Sequence, residues 1–265
     1  MNKTSVGPIF TFAAAGLVGL VVAACSSTNV VTPTDDGGGS SGSSGGEDAG
    51  ADTGTSSGGN PTQCTAARKD LLLPIDKTSN GQVKVISESG GTKTVYVDAT
   101  AGGFNNAVKN PRIYVDLSTL SRVDKTDVSA PQSTDWDLSL KRVVLYTNGG
   151  DAGIGQGGAA VVSKAFASVT AADADAANIK AESFFDAECT PKKDRTDAVL
   201  TTFSDWYDYD DVTRIPTPKA NTTYIVRGAK GKRWKVAIKA YDANPDGTQT
   251  NNTTTGGYLL LVADL

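Results

Sequence analysis

The sequence predicts an all-β domain, mostly antiparallel and sandwich-like, with at most one short helix. From Cys64 onward, short apolar runs are separated by Gly, Pro, Asn and Asp, the residues that favour turns. Several runs alternate apolar and polar residues with a period of two, which is typical of half-buried strands. A chain of 265 residues, 38% of them hydrophobic, is long enough to bury a core of this kind.

The candidate strands follow one another at short spacing. In chain order they are Val83–Ile86, Thr94–Val97, Ile113–Leu117, Trp136–Tyr146, Ala159–Val162, Tyr224–Arg227, Arg233–Tyr241 and Tyr258–Val262. In the fourth candidate the alternation places Trp136, Leu138 and Leu140 on one face. In the seventh candidate it places Trp234, Val236, Ile238 and Ala240 on one face. The one helix candidate is the alanine-rich segment Ala171–Phe185.

Residues 1–24 have the features of a secretion signal. Lys3 supplies a positive start, and the apolar run after it is too short and too rich in Gly and Ala for a membrane span. The run ends in Val22-Ala23-Ala24-Cys25, the lipobox pattern of bacterial lipoproteins, in which the cysteine receives lipid and becomes the mature N-terminus. An ordinary secretory signal with an incidental cysteine is the alternative. The residue after the cysteine is Ser26. An Asp at that position is the inner-membrane retention signal of many Gram-negative bacteria, so its absence leads us to expect anchoring in the outer membrane through Cys25.

The segment after the lipobox cysteine is predicted to be a disordered tether over residues 25–63. Residues 26–63 contain ten glycines, eight serines, five acidic residues and no basic residue. Such a composition cannot offset the entropy of ordering the chain, and a flexible segment of this length spans roughly 35 Å. Residues 64–265 contain 24 basic and 24 acidic residues, so bulk charge argues against a nucleic-acid partner.

Histidine is absent from the chain, which excludes several classes of site. A Ser-His-Asp triad, a Cys-His dyad, a His-ligated zinc site and bis-histidine ligation of haem all need this side chain. Paired carboxylates are the remaining catalytic groups, and the sequence does not indicate two of them at the separation that a glycosidase needs. We therefore expect a protein that is not an enzyme.

Three cysteines are present, and lipidation of Cys25 would leave an even pair. In an exported protein two remaining cysteines most often form a disulfide, which predicts a Cys64–Cys189 bridge. The alternative is a pair of free thiols that act as ligands or nucleophiles.

Three stretches of the folded part together carry a family resemblance. They are Asp135–Arg142 with Thr147–Gly150, the glycine loop Gly153–Val161, and a C-terminal group that runs from Trp206–Asp210 through Asn221–Gly228 to Gly231–Val236. Their order and spacing resemble the HmuY-like haem-binding lipoprotein family over roughly 83–265. The resemblance implies an HmuY-type β domain over 64–265, on a surface lipoprotein that captures haem and passes it to an outer-membrane receptor. Family members bind iron through two histidines or through methionine, and this chain has no histidine and no methionine after Met1.

An aromatic and acidic cluster gives the candidate ligand-binding residues Trp206, Tyr207 and Tyr209. Aromatic faces can stack on a flat macrocycle, and a tyrosinate can ligate ferric iron, so haem remains the candidate cofactor. Aromatic residues that contact a glycan would give a similar pattern. The alternative is that one face of this segment is core and its acidic residues are solvated.

Two further motifs match ligand-binding patterns in their residue identities and spacing. Gly153-x-Gly155-x-x-Gly158 matches a dinucleotide fingerprint, but a strand-like run follows it, and we expect a glycine hairpin or loop. Asp242, Asn244 and Asp246 copy the start of a calcium loop, but Thr253 stands where an EF-hand has glutamate. A long hairpin loop is the expected structure there, with calcium as the alternative.

Together these observations predict an outward-facing, lipid-anchored binding protein with haem or another small molecule as its ligand. A structural or adhesive surface lipoprotein that kept the fold and lost haem binding is the first alternative. A calcium or glycan binder is the second.

Overall fold

The computed structural model describes residues 61–212, 215–250 and 256–265. The predicted signal over 1–24, the lipid anchor Cys25 and the predicted tether up to residue 60 lie outside these ranges. The chain divides into two units, Met1–Asp52 and Thr53–Leu265, and all described residues belong to the second. No helix in the described ranges is both long enough and apolar enough to cross a membrane.

The described part is a β protein with two short α-helices. The helices are α1 (Thr65–Leu72) and α2 (Ala171–Ala176). The strands are β1 (Val83–Ser89), β2 (Thr92–Asp98), β3 (Ile113–Asp116), β4 (Ser121–Val123), β5 (Leu138–Lys141), β6 (Val144–Thr147), β7 (Gly158–Val162), β8 (Tyr207–Asp210), β9 (Ile215–Pro218), β10 (Thr223–Arg227), β11 (Arg233–Ala240) and β12 (Gly257–Asp264). The predicted all-β fold class is therefore confirmed.

The strands form three antiparallel sheets. A six-stranded sheet has the order β1-β2-β12-β11-β10-β7, a four-stranded sheet has the order β4-β3-β5-β6, and β8 pairs with β9 alone. The two larger sheets share one hydrophobic core, to which β2 contributes Val97, β5 contributes Leu138 and β11 contributes Val236. Their shared core explains the period-two pattern, because alternate side chains of each strand point into it.

The two central strands of the four-stranded sheet, β3 and β5, are buried on both faces. Ile113 and Val115 of β3 lie in the core shared with the large sheet, whereas Tyr114 lies in a second cluster on the outer face. This second cluster also contains Phe184 and Phe185, and α1 packs against it through side chains that include Leu71. The long segment between α2 and β8 and the helix α1 thus form a layer over the outer face of this sheet.

Three details of the predicted strands are wrong. The segment Trp136–Tyr146 is a hairpin and not one strand, since Arg142 adopts a positive φ of 51° and the chain reverses between β5 and β6. Trp136 precedes β5 and lies in the outer cluster, opposite to Leu138 and Leu140. In β11 the alternation holds from Trp234 to Ile238. The register relative to β12 shifts between Ile238 and Ala240, so the side chain of Ala240 lies on the other face of the sheet.

The helix candidate Ala171–Phe185 is helical only over its first six residues. Thr170 accepts a hydrogen bond from the backbone of Asp173, whose side chain in turn accepts one from Thr170 N, so the helix begins with a capping box. The helix ends at Ala176, and Phe184 and Phe185 instead fill the outer cluster. The alanine content marked where the helix begins, but the helix ends well before the two buried phenylalanines.

Candidate ligand-binding site

The hairpin β8–β9 carries the predicted aromatic and acidic cluster. Tyr207 lies opposite Pro218 and Tyr209 lies opposite Pro216 in the register of the two strands. The two tyrosines are two residues apart on one strand and therefore share a face. Tyr207 is only 5% exposed, whereas Tyr209 is 43% exposed. Of the two phenols, that of Tyr209 is the one a ligand can reach from solvent.

Trp206 belongs to the core and not to the surface of the hairpin. It is 1% exposed, and its Nε1–H donates to the carbonyl oxygen of Val143 over 2.9 Å. Its ring packs against the rings of Tyr241 and Tyr258, with centroid distances of 5.3 Å and 5.6 Å. Because both faces are occupied by protein, Trp206 supports the base of the hairpin and offers no free face for a flat ligand.

Tyr207 lies between this core and the surface. Its ring centroid is 4.7 Å from that of Trp206, and the guanidinium carbon of Arg195 is 5.6 Å from its ring centroid. Burial raises the pKa of the Tyr207 hydroxyl, and the positive charge of Arg195 opposes this shift only in part. The neutral phenol of Tyr207 is therefore favoured, which makes Tyr207 a poorer source of tyrosinate than an exposed phenol.

Sequence reasoning missed Arg195, which the structure places beside Tyr207. The loop that holds it is shaped by Asp194, whose carboxylate accepts hydrogen bonds from the backbone of Thr196 and Ala198 at 2.8 Å and 3.2 Å. Val199, just after this turn, is buried in the outer cluster and fixes the loop to the body. The side chain of Arg195 is exposed, so it can form charge-assisted hydrogen bonds with a carboxylate.

The predicted disulfide is present in the structure. Cys64, at the N-terminus of α1, is bonded to Cys189, which lies in the segment between α2 and β8. None of the residues of α1 is fully buried. The bridge therefore holds a helix whose own packing is weak against the outer face of the four-stranded sheet.

The calcium candidates lie in a turn that is closed by internal hydrogen bonds. Asp246 Oδ1 accepts hydrogen bonds from Thr248 N and Thr248 Oγ1 at 2.9 Å and 2.6 Å, and these bonds lower the pKa of Asp246. Asn244 N donates to Thr248 O, and the backbone oxygen of Asp242 accepts from Thr250. Among the residues that the structure describes, no group of three or more potential metal-binding side chains comes together. The geometry is that of a closed turn, as expected from the Pro-Asp-Gly sequence.

The glycine motif leads into a strand. Gly158 is the first residue of β7, where a dinucleotide fold would begin a helix. Gly149 bridges to Gln156 in antiparallel fashion, and Gly155 packs against Ala229. The motif is thus a loop packed against neighbouring backbone, as expected from the sequence.

A family model described as HmuY protein matches residues 109–255. This range contains the glycine motif, Arg195 and the whole β8–β9 hairpin. No curated protein matches the chain.

Three solved structures are similar to the chain at low sequence identity. A candidate HmuY-like heme binding protein from Bacteroides vulgatus ATCC 8482 is 18% identical, with 69% of this chain and 96% of that chain covered and a TM-score of 0.41. A candidate lipoprotein from Bacteroides fragilis NCTC 9343 is 18% identical, with coverages of 73% and 96% and a TM-score of 0.39. The apo form of an HmuY analog from Tannerella forsythia is 13% identical, with coverages of 72% and 100% and a TM-score of 0.41.

Proposed function

The chain belongs to the HmuY protein family, and from this premise we propose that it is a lipid-anchored outer-membrane protein that binds haem through tyrosine. The proposed anchor is Cys25, and the proposed tether up to residue 63 gives the domain reach from the lipid surface. A haem-uptake receptor in the same membrane is the proposed partner. The proposed role of the protein is to capture the ligand and transfer it to this receptor, without catalysis.

The observation that carries the proposal is the exposed phenol of Tyr209 on the β8–β9 hairpin. Two-histidine ligation does not fit this chain, because it contains no histidine. A tyrosinate is an established axial ligand of ferric haem, and the Tyr209 phenol is accessible. Arg195 on the neighbouring loop has the charge that would attract a carboxylate of the porphyrin edge. Tyr207, with its raised pKa, would contribute its ring more than its oxygen.

Titration of the untagged protein with ferric haemin tests the proposal. A single phenolate ligand should give a high-spin spectrum with a phenolate-to-iron charge-transfer band in the visible region. A capture role requires a Kd below micromolar, which corresponds to more than about 8 kcal/mol of binding free energy. Tyr209→Phe should abolish the charge-transfer band, and Tyr207→Phe should weaken binding less.

Tyr96→Phe is the matched control, because Tyr96 lies in a separate core cluster on β2 and is 3% exposed. A low-spin six-coordinate spectrum would contradict tyrosine ligation. No spectral change at all would reject haem binding and favour a structural or adhesive surface lipoprotein. A His-tagged protein is unsuitable, because the tag would supply the ligand that the chain lacks.

A further inference from the structure

A pocket of about 400 Å³ lies between α1 and the outer face of the four-stranded sheet. We call it the α1 pocket. Its lining includes Arg68 and Leu72 from α1, Tyr114 and Tyr146 from β3 and β6, and Trp136 and Ala152. None of these residues belongs to the β8–β9 hairpin. The volume is in the range of pockets that bind small molecules.

Arg68 lines this pocket, and two nitrogen atoms of its guanidinium group are buried without a hydrogen-bond acceptor among the described residues. Its Nη2 donates to the backbone oxygen of Asp151, while its Nε and Nη1 are buried and have no hydrogen-bond partner among the residues that the structure describes. Three of the five N–H donors of the guanidinium group are on these two nitrogens. Burial without an acceptor is unfavourable for any polar group and more so for a charged one. Because the two nitrogens are inaccessible as they lie, a ligand would draw the guanidinium group toward the pocket, and an acceptor on that ligand would remove this cost.

The acidic groups around the pocket are already engaged by other donors. The carboxylate of Asp127 accepts hydrogen bonds from the backbone of Ile75 and Arg112 and from the Tyr114 hydroxyl. The carboxylate of Asp151 accepts from the backbone of Phe184 and Phe185. Neither carboxylate forms a hydrogen bond with Arg68.

The other basic groups differ from Arg68 in their surroundings. Arg112 donates from Nε to Ser139 Oγ and from Nη2 to Val144 O, and it lies 4.1 Å over the centre of the Tyr146 ring. Lys69 is exposed at the rim of the pocket. Burial lowers the pKa of Arg68, an effect that the charge of Asp151 opposes only in part. An anionic ligand in the pocket would therefore form its ion pair with Arg68.

We propose that the α1 pocket binds a small aromatic carboxylate, whose carboxylate group pairs with Arg68. Arginine forms charge-assisted hydrogen bonds with carboxylates, and the remaining lining is largely aromatic and aliphatic. The ring of the ligand would lie against the apolar wall that includes Leu72, Trp136 and Ala152. This site is separate from the hairpin and does not depend on haem binding.

Isothermal titration calorimetry of the purified, untagged full-length protein with 2-naphthoate tests the proposal. The neutral analogue 2-naphthamide has the same rings without the negative charge, and it should bind at least about tenfold more weakly. Arg68→Met should weaken 2-naphthoate binding by about tenfold or more and leave 2-naphthamide binding unchanged. Lys69→Met is the matched control on the same helix, and it should change binding by less than about threefold.

A second variant keeps the test independent of Arg68 and its packing. Val128 is 56% exposed and lines the pocket, so Val128→Trp should obstruct the pocket without disturbing the core and should weaken both compounds. Equal affinity for 2-naphthoate and 2-naphthamide would overturn the proposal. So would unchanged binding in Arg68→Met or in Val128→Trp, or no binding of 2-naphthoate to the wild-type protein.

Discussion

Gly157 donates its backbone N–H to the carbonyl oxygen of Asn148 over 2.7 Å, and a Cβ atom on Gly157 would lie 2.3 Å from that oxygen. The side chain of Asn148 donates to the backbone oxygens of Ser133 and Trp136 at 2.7 Å and 2.9 Å and accepts from Gly155 N. The loop that contains Gly155 and Gly157 therefore wraps around one asparagine. Its glycines are required by the close approach of two backbone segments, and no phosphate is needed to explain them.

Gly157→Ala should destabilise the domain by about 3 kcal/mol or more, because the added methyl group meets backbone atoms that cannot move independently. Urea unfolding followed by tryptophan fluorescence measures this, since Trp136, Trp206 and Trp234 are buried. Gly91→Ala is the control. Gly91 has a φ of +75° and no neighbour within 4 Å, so only backbone strain of about 1 kcal/mol is expected. Equal losses in the two variants would show that close packing at Gly157 is unimportant.

Stability should fall as pH rises from about 5 to about 7 because of Glu182. The residue is 2% exposed, and burial raises the pKa of its carboxyl group to about 7, despite hydrogen bonds from Thr147 and Thr202. Between the ordinary pKa of 4.5 and 7, the folded state keeps a proton that the unfolded state has released. The free energy of unfolding should therefore decrease by about 3 kcal/mol across this window.

The measurement is urea unfolding at several pH values between 5 and 8 for wild type and Glu182→Gln. The variant cannot titrate at this position, so the difference between the two proteins isolates Glu182 from other groups. Glu188→Gln is the control, because Glu188 is exposed on the same segment. Parallel pH profiles for wild type and Glu182→Gln would rule out this role of Glu182.

Removal of the Cys64–Cys189 bridge should release α1 before the rest of the domain unfolds. The bridge joins residues 125 positions apart, and the chain-entropy relation gives a stabilisation of about 4–5 kcal/mol for such a loop. Since no residue of α1 is fully buried, the helix depends on the bridge. In a Cys64→Ser, Cys189→Ser double variant, limited trypsin digestion should cut after Arg68 and Lys69 much faster than in wild type. Cleavage at the exposed Lys109 should keep its rate, and a general rise at all sites would point to global unfolding instead.

Cys25 should carry the lipid anchor that the lipobox pattern predicts. Labelling of cells with a clickable palmitate analogue should mark the wild-type protein and leave a Cys25→Ser variant unlabelled. The Cys64→Ser, Cys189→Ser double variant is the control, and it should retain the label because its lipobox is intact. Equal labelling of wild type and Cys25→Ser would refute lipidation at this residue.

The candidate site was only partly predictable from sequence. The pattern of residues 206–210 correctly marked an aromatic and acidic segment, but it could not show that Trp206 is core and Tyr209 exposed. That distinction depends on where β8 begins and on which residues cover its two ends. Arg195 could not be connected with Tyr207 at all, because the two come together only through the turn at Asp194. The unsatisfied guanidinium of Arg68 likewise has no sequence signature.

By itself the sequence determined the β class and the alternation of Trp234, Val236 and Ile238, and it predicted the pairing of Cys64 with Cys189. These features follow from local periodicity and from elimination among few residues, so no distant contact is needed to infer them. Only the tertiary structure decided the reversal at Arg142, the face of Trp136 and the end of α2. Each of these depends on which buried surface a segment meets, and burial against a distant part of the chain outweighs local preference.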